Sequence, residues 1–168
     1  DRGGVSLITS GSDSPTATVT YTRIEPGAGS TTPSGIGIFG FRNSEGVLLT
    51  ETGIAAAPLL TSGRVYVTFT TDILNTGVAI VNPNNTEVRV DFFFSDSRRD
   101  PTDFGAGSFT IGPNEQTARF ISEAPFNAET GTRGALTLTS TLPVSVVALR
   151  QSLASSGDFV FSSMPVAD

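Results

Sequence analysis

The stretch Thr86-Glu87-Val88-Arg89-Val90-Asp91-Phe92-Phe93-Phe94 decides the fold. Val88, Val90, Phe92 and Phe94 fall on one side of an extended chain, and Glu87, Arg89, Asp91 and Phe93 on the other. Successive side chains of a strand point to opposite faces, so this alternation predicts a half-buried strand with one apolar face. Similar runs occupy residues 64–70, 77–82, 107–111, 116–121, 135–141, 144–151 and 159–163. Turn chemistry separates them: Asn82-Pro83-Asn84-Asn85, Gly112-Pro113-Asn114 and Ser155-Ser156-Gly157-Asp158 tolerate tight or positive-φ geometry. Strands this short and closely spaced predict an all-β, antiparallel sandwich. No segment carries sustained helical periodicity, and residues 122–128 allow at most a short helical turn interrupted by Pro125.

Composition agrees with that pattern. The chain has 168 residues, enough for one large domain or one small domain plus a fragment, and its 23 Thr, 19 Ser, 18 Gly and 10 Pro favour strands and turns. Acidic residues number 16 and basic residues 10, all of them Arg, for a net charge of −6. Lys, His, Cys and Trp are absent. Without His or Cys, the usual zinc sites, Ser-His-Asp triads and Cys-His dyads cannot be built from this chain. Without Lys there is no Schiff base and no phosphate-loop lysine. A negative chain whose only basic pair is Arg98-Arg99 lacks the electrostatic footprint of a nucleic-acid binder. No apolar run is long enough for a membrane-spanning helix. The lack of Cys is neutral about compartment, because a domain of this size folds on its core alone. The chain opens on Asp1 rather than Met, as expected after removal of a secretory signal peptide or excision from a longer chain.

Internal repetition is the more informative feature. Thr18-Val19-Thr20-Tyr21-Thr22, followed by Pro26, matches Ala135-Leu136-Thr137-Leu138-Thr139, followed by Pro143. Ile36, Ile38, Phe39, Gly40, Phe41 and Arg42 then answer Val144, Val146, Val147, Ala148, Leu149 and Arg150, with residues 27–35 as a loop-like insertion in the first copy. Val47-Leu48-Leu49-Thr50 answers Phe159-Val160-Phe161-Ser162. The second copy has a longer stretch ahead of its matched blocks than the first. The expected division is therefore a partial sandwich repeat with an extended N-terminal segment over residues 1–63, and a complete sandwich over residues 64–168. An incomplete sandwich leaves apolar faces and backbone edges open. Its completion can come from packing onto the complete domain or from a neighbouring subunit, for which Val5-Ser6-Leu7-Ile8-Thr9 is the candidate donor strand through Val5, Leu7 and Ile8.

The strings Tyr21-Thr22-Arg23-Ile24-Glu25-Pro26, Ile38-Phe39-Gly40-Phe41-Arg42, Asn75-Thr76-Gly77-Val78-Ala79-Ile80-Val81-Asn82-Pro83 and Val147-Ala148-Leu149-Arg150, with Met164-Pro165-Val166, resemble a recurrent β-sandwich module. That module occurs in large secreted or surface proteins of environmental bacteria, acidobacteria among them. The resemblance covers most of residues 17–168. It implies an Ig-like fold and brings no catalytic residues.

Asp96, Asp100 and Asp103 have oxygen ligands that would suit calcium, but Arg98 and Arg99 lie among them, and the glycine and terminal glutamate of an EF-hand loop are missing. A solvated hairpin tip is the expectation, with no metal and no cofactor. Phe93 faces away from the core pattern and needs a cover, either the N-terminal segment or a subunit interface or ligand platform, and Tyr66 extends the same outward patch. Arg42 and Arg150, equivalent in the repeat, are expected to hold carboxylates or turn carbonyls. Asn84-Asn85-Thr86 is a glycosylation sequon on a turn, and no carboxylate pair is singled out for glycosidase chemistry. The expected function is that of a non-enzymatic, secreted or cell-surface structural protein, self-assembling into a filament or layer by strand sharing. An adhesive module binding carbohydrate or protein is the competing expectation, with neither nucleic acid nor a membrane span in either case.

Overall fold

The computed structural model describes residues 5–8, 19–43, 45–95 and 105–168. The strands are β1 (Ile36–Arg42), β2 (Leu48–Ala55), β3 (Leu59–Thr68), β4 (Leu74–Val81), β5 (Val88–Ser95), β6 (Ala106–Ile111), β7 (Gln116–Phe120), β8 (Arg133–Leu153), β9 (Phe159–Met164) and β10 (Val166–Ala167). Every ladder is antiparallel. Among the described residues there is no helix, and thus none long and apolar enough to cross a membrane. The all-β, antiparallel expectation is met in a β-sandwich-like arrangement.

β8 organises the molecule. Its first half, up to Ser140, pairs with β3 on one side and β5 on the other, and β6 extends that sheet beyond β5. Its second half, from Val144, pairs with β4 and β9 and, at Val144 and Ser145, with the start of β3 beyond a register shift, and β7 extends beyond β4. The runs at 135–141 and 144–151 are thus one strand of 21 residues. Pro143, which has no N–H to give to a ladder, falls where the partners change, so its missing donor interrupts no pairing there.

The alternation read from the β5 segment is realised, with Val88, Val90, Phe92 and Phe94 buried. They pack with Val65, Val67, Val78, Ile80, Leu136, Leu138, Val144, Val146 and Ala148 in one core. Phe92 meets Phe126 and Phe109 with ring centroids 5.1 and 6.2 Å apart. Residues 122–128 form turns rather than a helical turn, and they deliver Phe126 to the end of this core. The Glu123 and Asn127 N–H groups bond to Phe120 O and Glu123 O, while the Ala128 N–H returns to Ile121 O.

Two buried polar side chains tie the layers. Thr76 Oγ1 accepts from the Thr68 N–H at 3.0 Å and donates to Thr68 O at 3.1 Å, joining the start of β4 to the end of β3. Asn82, fully buried, donates to the carbonyls of Thr86, Ile111 and Gly112 and accepts from the N–H and side-chain amide of Asn84. It closes the Asn82–Asn85 turn onto the β6–β7 turn, where Asn114 adopts the positive φ expected of it.

β1 and β2 make a separate two-stranded sheet. β2 lies beside β9 without a backbone ladder. Thr50 and Thr52, two residues apart on one face, present their Oγ1 atoms to the outward N–H groups of Phe161 and Ser163 at 3.3 and 3.2 Å. Phe39 and Phe41 close on the Phe161 ring edge-to-face, centroids 5.5 and 5.7 Å apart. The hairpin therefore blunts the β9 edge through side chains.

The repeat is visible here in part, since the β1–β2 hairpin corresponds to the second half of β8 with β9. Val19–Thr22 differs from its counterpart in β8. It belongs to no strand and is exposed, tethered by Tyr21 Oη donating to Asn114 O at 3.0 Å and by Gln116 Nε2 donating to Val19 O. A strand needs a ladder partner for its backbone, and the interior place that Ala135–Thr139 holds between β3 and β5 exists once. β3 begins at Leu59, so the expected division between residues 63 and 64 passes through a continuous strand.

Candidate functional site

The outer face of the β3–β8–β5 sheet brings together two of the residues expected to form an interface. Tyr66 lies opposite Ala135, and Phe93 lies opposite Thr137, with both partners pointing to the same side of β8. Tyr66 is 45% exposed and Phe93 42%. Val5, Leu7 and Ile8 do not cover Phe93. They are 84%, 85% and 93% exposed, which removes the described part of the N-terminal segment as its lid.

Arginines frame this face. Arg64 Nε donates to Thr137 Oγ1 at 3.3 Å, Arg133 Nε donates to Tyr66 Oη at 2.9 Å, and Arg89 pairs with Asp91 at 2.8 Å. Toward the β3–β4 turn the face opens into a cleft of about 490 Å³ lined by Tyr66, Thr68, Thr70, Leu74, Gly131, Thr132, Arg133 and Arg150. Two guanidinium groups and four hydroxyls converge there, and no carboxylate lies among the lining residues. Such a lining suits recognition of an anionic, hydroxylated ligand and supplies no nucleophile with an attendant base.

The sequence reading singled out Tyr66 but missed its neighbours in the cleft. Arg133 and Arg150 are 17 positions apart at opposite ends of β8, and nothing in their local sequence reveals that β3 and β4 fold back over both. Arg42 meets its expectation, with Nη1 donating to the turn carbonyl of Gly46 at 2.9 Å. Arg150 does not, and among the described residues it has no hydrogen bond or ion pair. Asp96, Asp100 and Asp103, the calcium candidates, lie outside the described residues.

No protein family matches this chain, and no curated protein matches it. Among solved structures, a crystal structure of Thermotoga maritima 1070 is similar over 62% of this chain and 92% of its own, with a TM-score of 0.44 and 12% identity. At that level the likeness adds nothing to the fold described above.

Proposed function

We propose that this chain is a non-enzymatic, extracellular structural protein built on an Ig-like sandwich, which assembles into a surface filament or layer by sharing strands between copies. The carrying observation is the free edge of β1. Among the described residues this strand pairs with β2 alone, its Ile36 and Ile38 are 69% and 60% exposed, and it carries no charge before Arg42. Edge strands that must remain unpaired usually bear a charge, a proline or a bulge to turn other chains away, whereas in β1 the charge and the register shift come at its end, at Phe41 and Arg42, and Ile36 to Gly40 present a bare apolar edge. A two-stranded sheet gains stability from a third strand. The exposed segment Val5-Ser6-Leu7-Ile8 of a neighbouring copy has the apolar content to contribute to it.

The test is the solution mass across concentrations. Strand sharing predicts species above 17.4 kDa that grow with concentration, and their loss on deleting residues 1–16 or in Ile38→Lys. A chain that stays at 17.4 kDa throughout refutes the proposal. The adhesive reading is favoured by a different observation, the arginine-lined cleft.

A further inference from the structure

The difference between the two repeat-related arginines points to a ligand. Arg42 is satisfied by its own turn. Arg150 shares the inward-facing parity of Val144, Val146 and Ala148, which places it half-buried at the end of the interlayer core rather than in open solvent. A guanidinium partly withdrawn from water without an acceptor has lost hydration and gained nothing in exchange. The cleft it lines contains a second guanidinium, on Arg133, which is held by Tyr66 and engaged further. In a chain of net charge −6, this is a local convergence of positive charge with no acid among the lining groups.

We propose that this cleft binds the carboxylate of an acidic sugar, a uronate residue of a polysaccharide. The planar fork of Arg150 matches a carboxylate, which it holds through two parallel N–H···O bonds. The remaining lining suits the rest of such a ring. Tyr66 Oη already accepts from Arg133, which leaves its hydrogen to donate, and Thr132 Oγ1 already donates to Glu129 O, which leaves its lone pair for a sugar hydroxyl. Thr70 adds a further hydroxyl, and Leu74 an apolar wall for ring carbons. The volume accommodates one or two sugar rings, and Phe93 with Arg64 continues the face beyond the opening. The proposal is independent of strand sharing, because no residue of β1 or of the N-terminal segment lines the cleft.

The experiment titrates the full chain with trigalacturonate, with neutral galactotriose and with acetate or sulfate, followed by calorimetry and by amide chemical shifts. Trigalacturonate is expected to bind and to shift amides of Thr70, Thr132 and Arg150. The neutral trisaccharide should bind at least tenfold more weakly, and Arg150→Gln should weaken the uronate by a similar factor, the usual scale for removing one charge-assisted pair. Arg42→Gln should leave binding unchanged. Thr70→Val retains both guanidinium groups and tests the hydroxyl contact if Arg150→Gln is poorly folded, with a few-fold loss expected. Equal binding of the neutral sugar, undiminished binding by a folded Arg150→Gln, or no binding of trigalacturonate overturns the proposal. Acetate or sulfate matching the uronate at equal concentration also overturns it, leaving an unspecific anion site. So does a change of oligomeric mass in Arg150→Gln without any sugar binding, because the carboxylate would then come from a second copy.

Discussion

Asn82 is the single side chain whose removal should cost most for its size. Its amide nitrogen serves the carbonyls of Thr86, Ile111 and Gly112 at 2.8, 3.1 and 2.8 Å, and its oxygen serves the N–H of Asn84 at 2.9 Å. Asn82→Ala leaves these groups unpaired in a place that is 0% exposed at residue 82 itself. Each orphaned group costs about 1 kcal/mol, so the loss totals about 3–5 kcal/mol even after the site relaxes. For a chain of this size each kcal/mol moves the midpoint by about 2–4 °C, which puts the expected fall in Tm at about 6–20 °C. The assay is thermal unfolding followed by far-UV circular dichroism, since the chain has no Trp to report by fluorescence. Asn85→Ala is the control. It removes only a surface bond from Asn114 Nδ2 at 3.1 Å, and should cost under about 0.5 kcal/mol. A fall of under 2 °C for Asn82→Ala, or equal falls for the two variants, would refute the idea that this one amide closes the end of the sandwich.

Asn82→Asp should be destabilising and pH-dependent, because it sets a buried carboxylate against carbonyl oxygens. Its carboxyl is then held above the usual range in the folded state, the folded chain binds the proton more tightly than the unfolded one, and stability falls as pH rises through the carboxylate range and returns on acidification. Denaturant melts at several pH values check this. Gly107→Ala should lose about 1–3 kcal/mol, since its Cβ would stand 2.8 Å from the ring of buried Phe92, and a thermal melt within 1 °C of the parent would contradict the packing. Replacing Thr50 and Thr52 with Val removes the acceptors for the Phe161 and Ser163 N–H groups. The β1–β2 hairpin should then exchange its amides faster and be cut sooner by trypsin at Arg42, while the protection of β4 and β5 stays unchanged. Phe93→Ser should leave stability within about 1 kcal/mol of the parent, because that side chain lies on the outer face, 42% exposed, and not in the core.

Much of the architecture was legible in the chain because the side-chain period of a strand is a local property. Val88 to Phe94 announced a buried face through alternation alone, and the Asn- and Gly-containing turns marked where neighbouring strands end. The repeat set Ile36–Arg42 against Val144–Arg150, and both stretches lie in strands. It failed at Val19–Thr22, where a sequence fit for a strand found no ladder to join.

The class of fold, the identity of the core face and the residue types missing from this chain were readable before folding, because each depends on composition and short-range periodicity. Tertiary structure alone decided that β8 serves both layers, that Thr50 and Thr52 would seal the β9 edge, and that Arg150 would meet Tyr66 and Arg133 in one cleft. Those outcomes rest on pairings between residues far apart in sequence, and strand pairing is chosen by the global fit of faces and edges, which no local window contains.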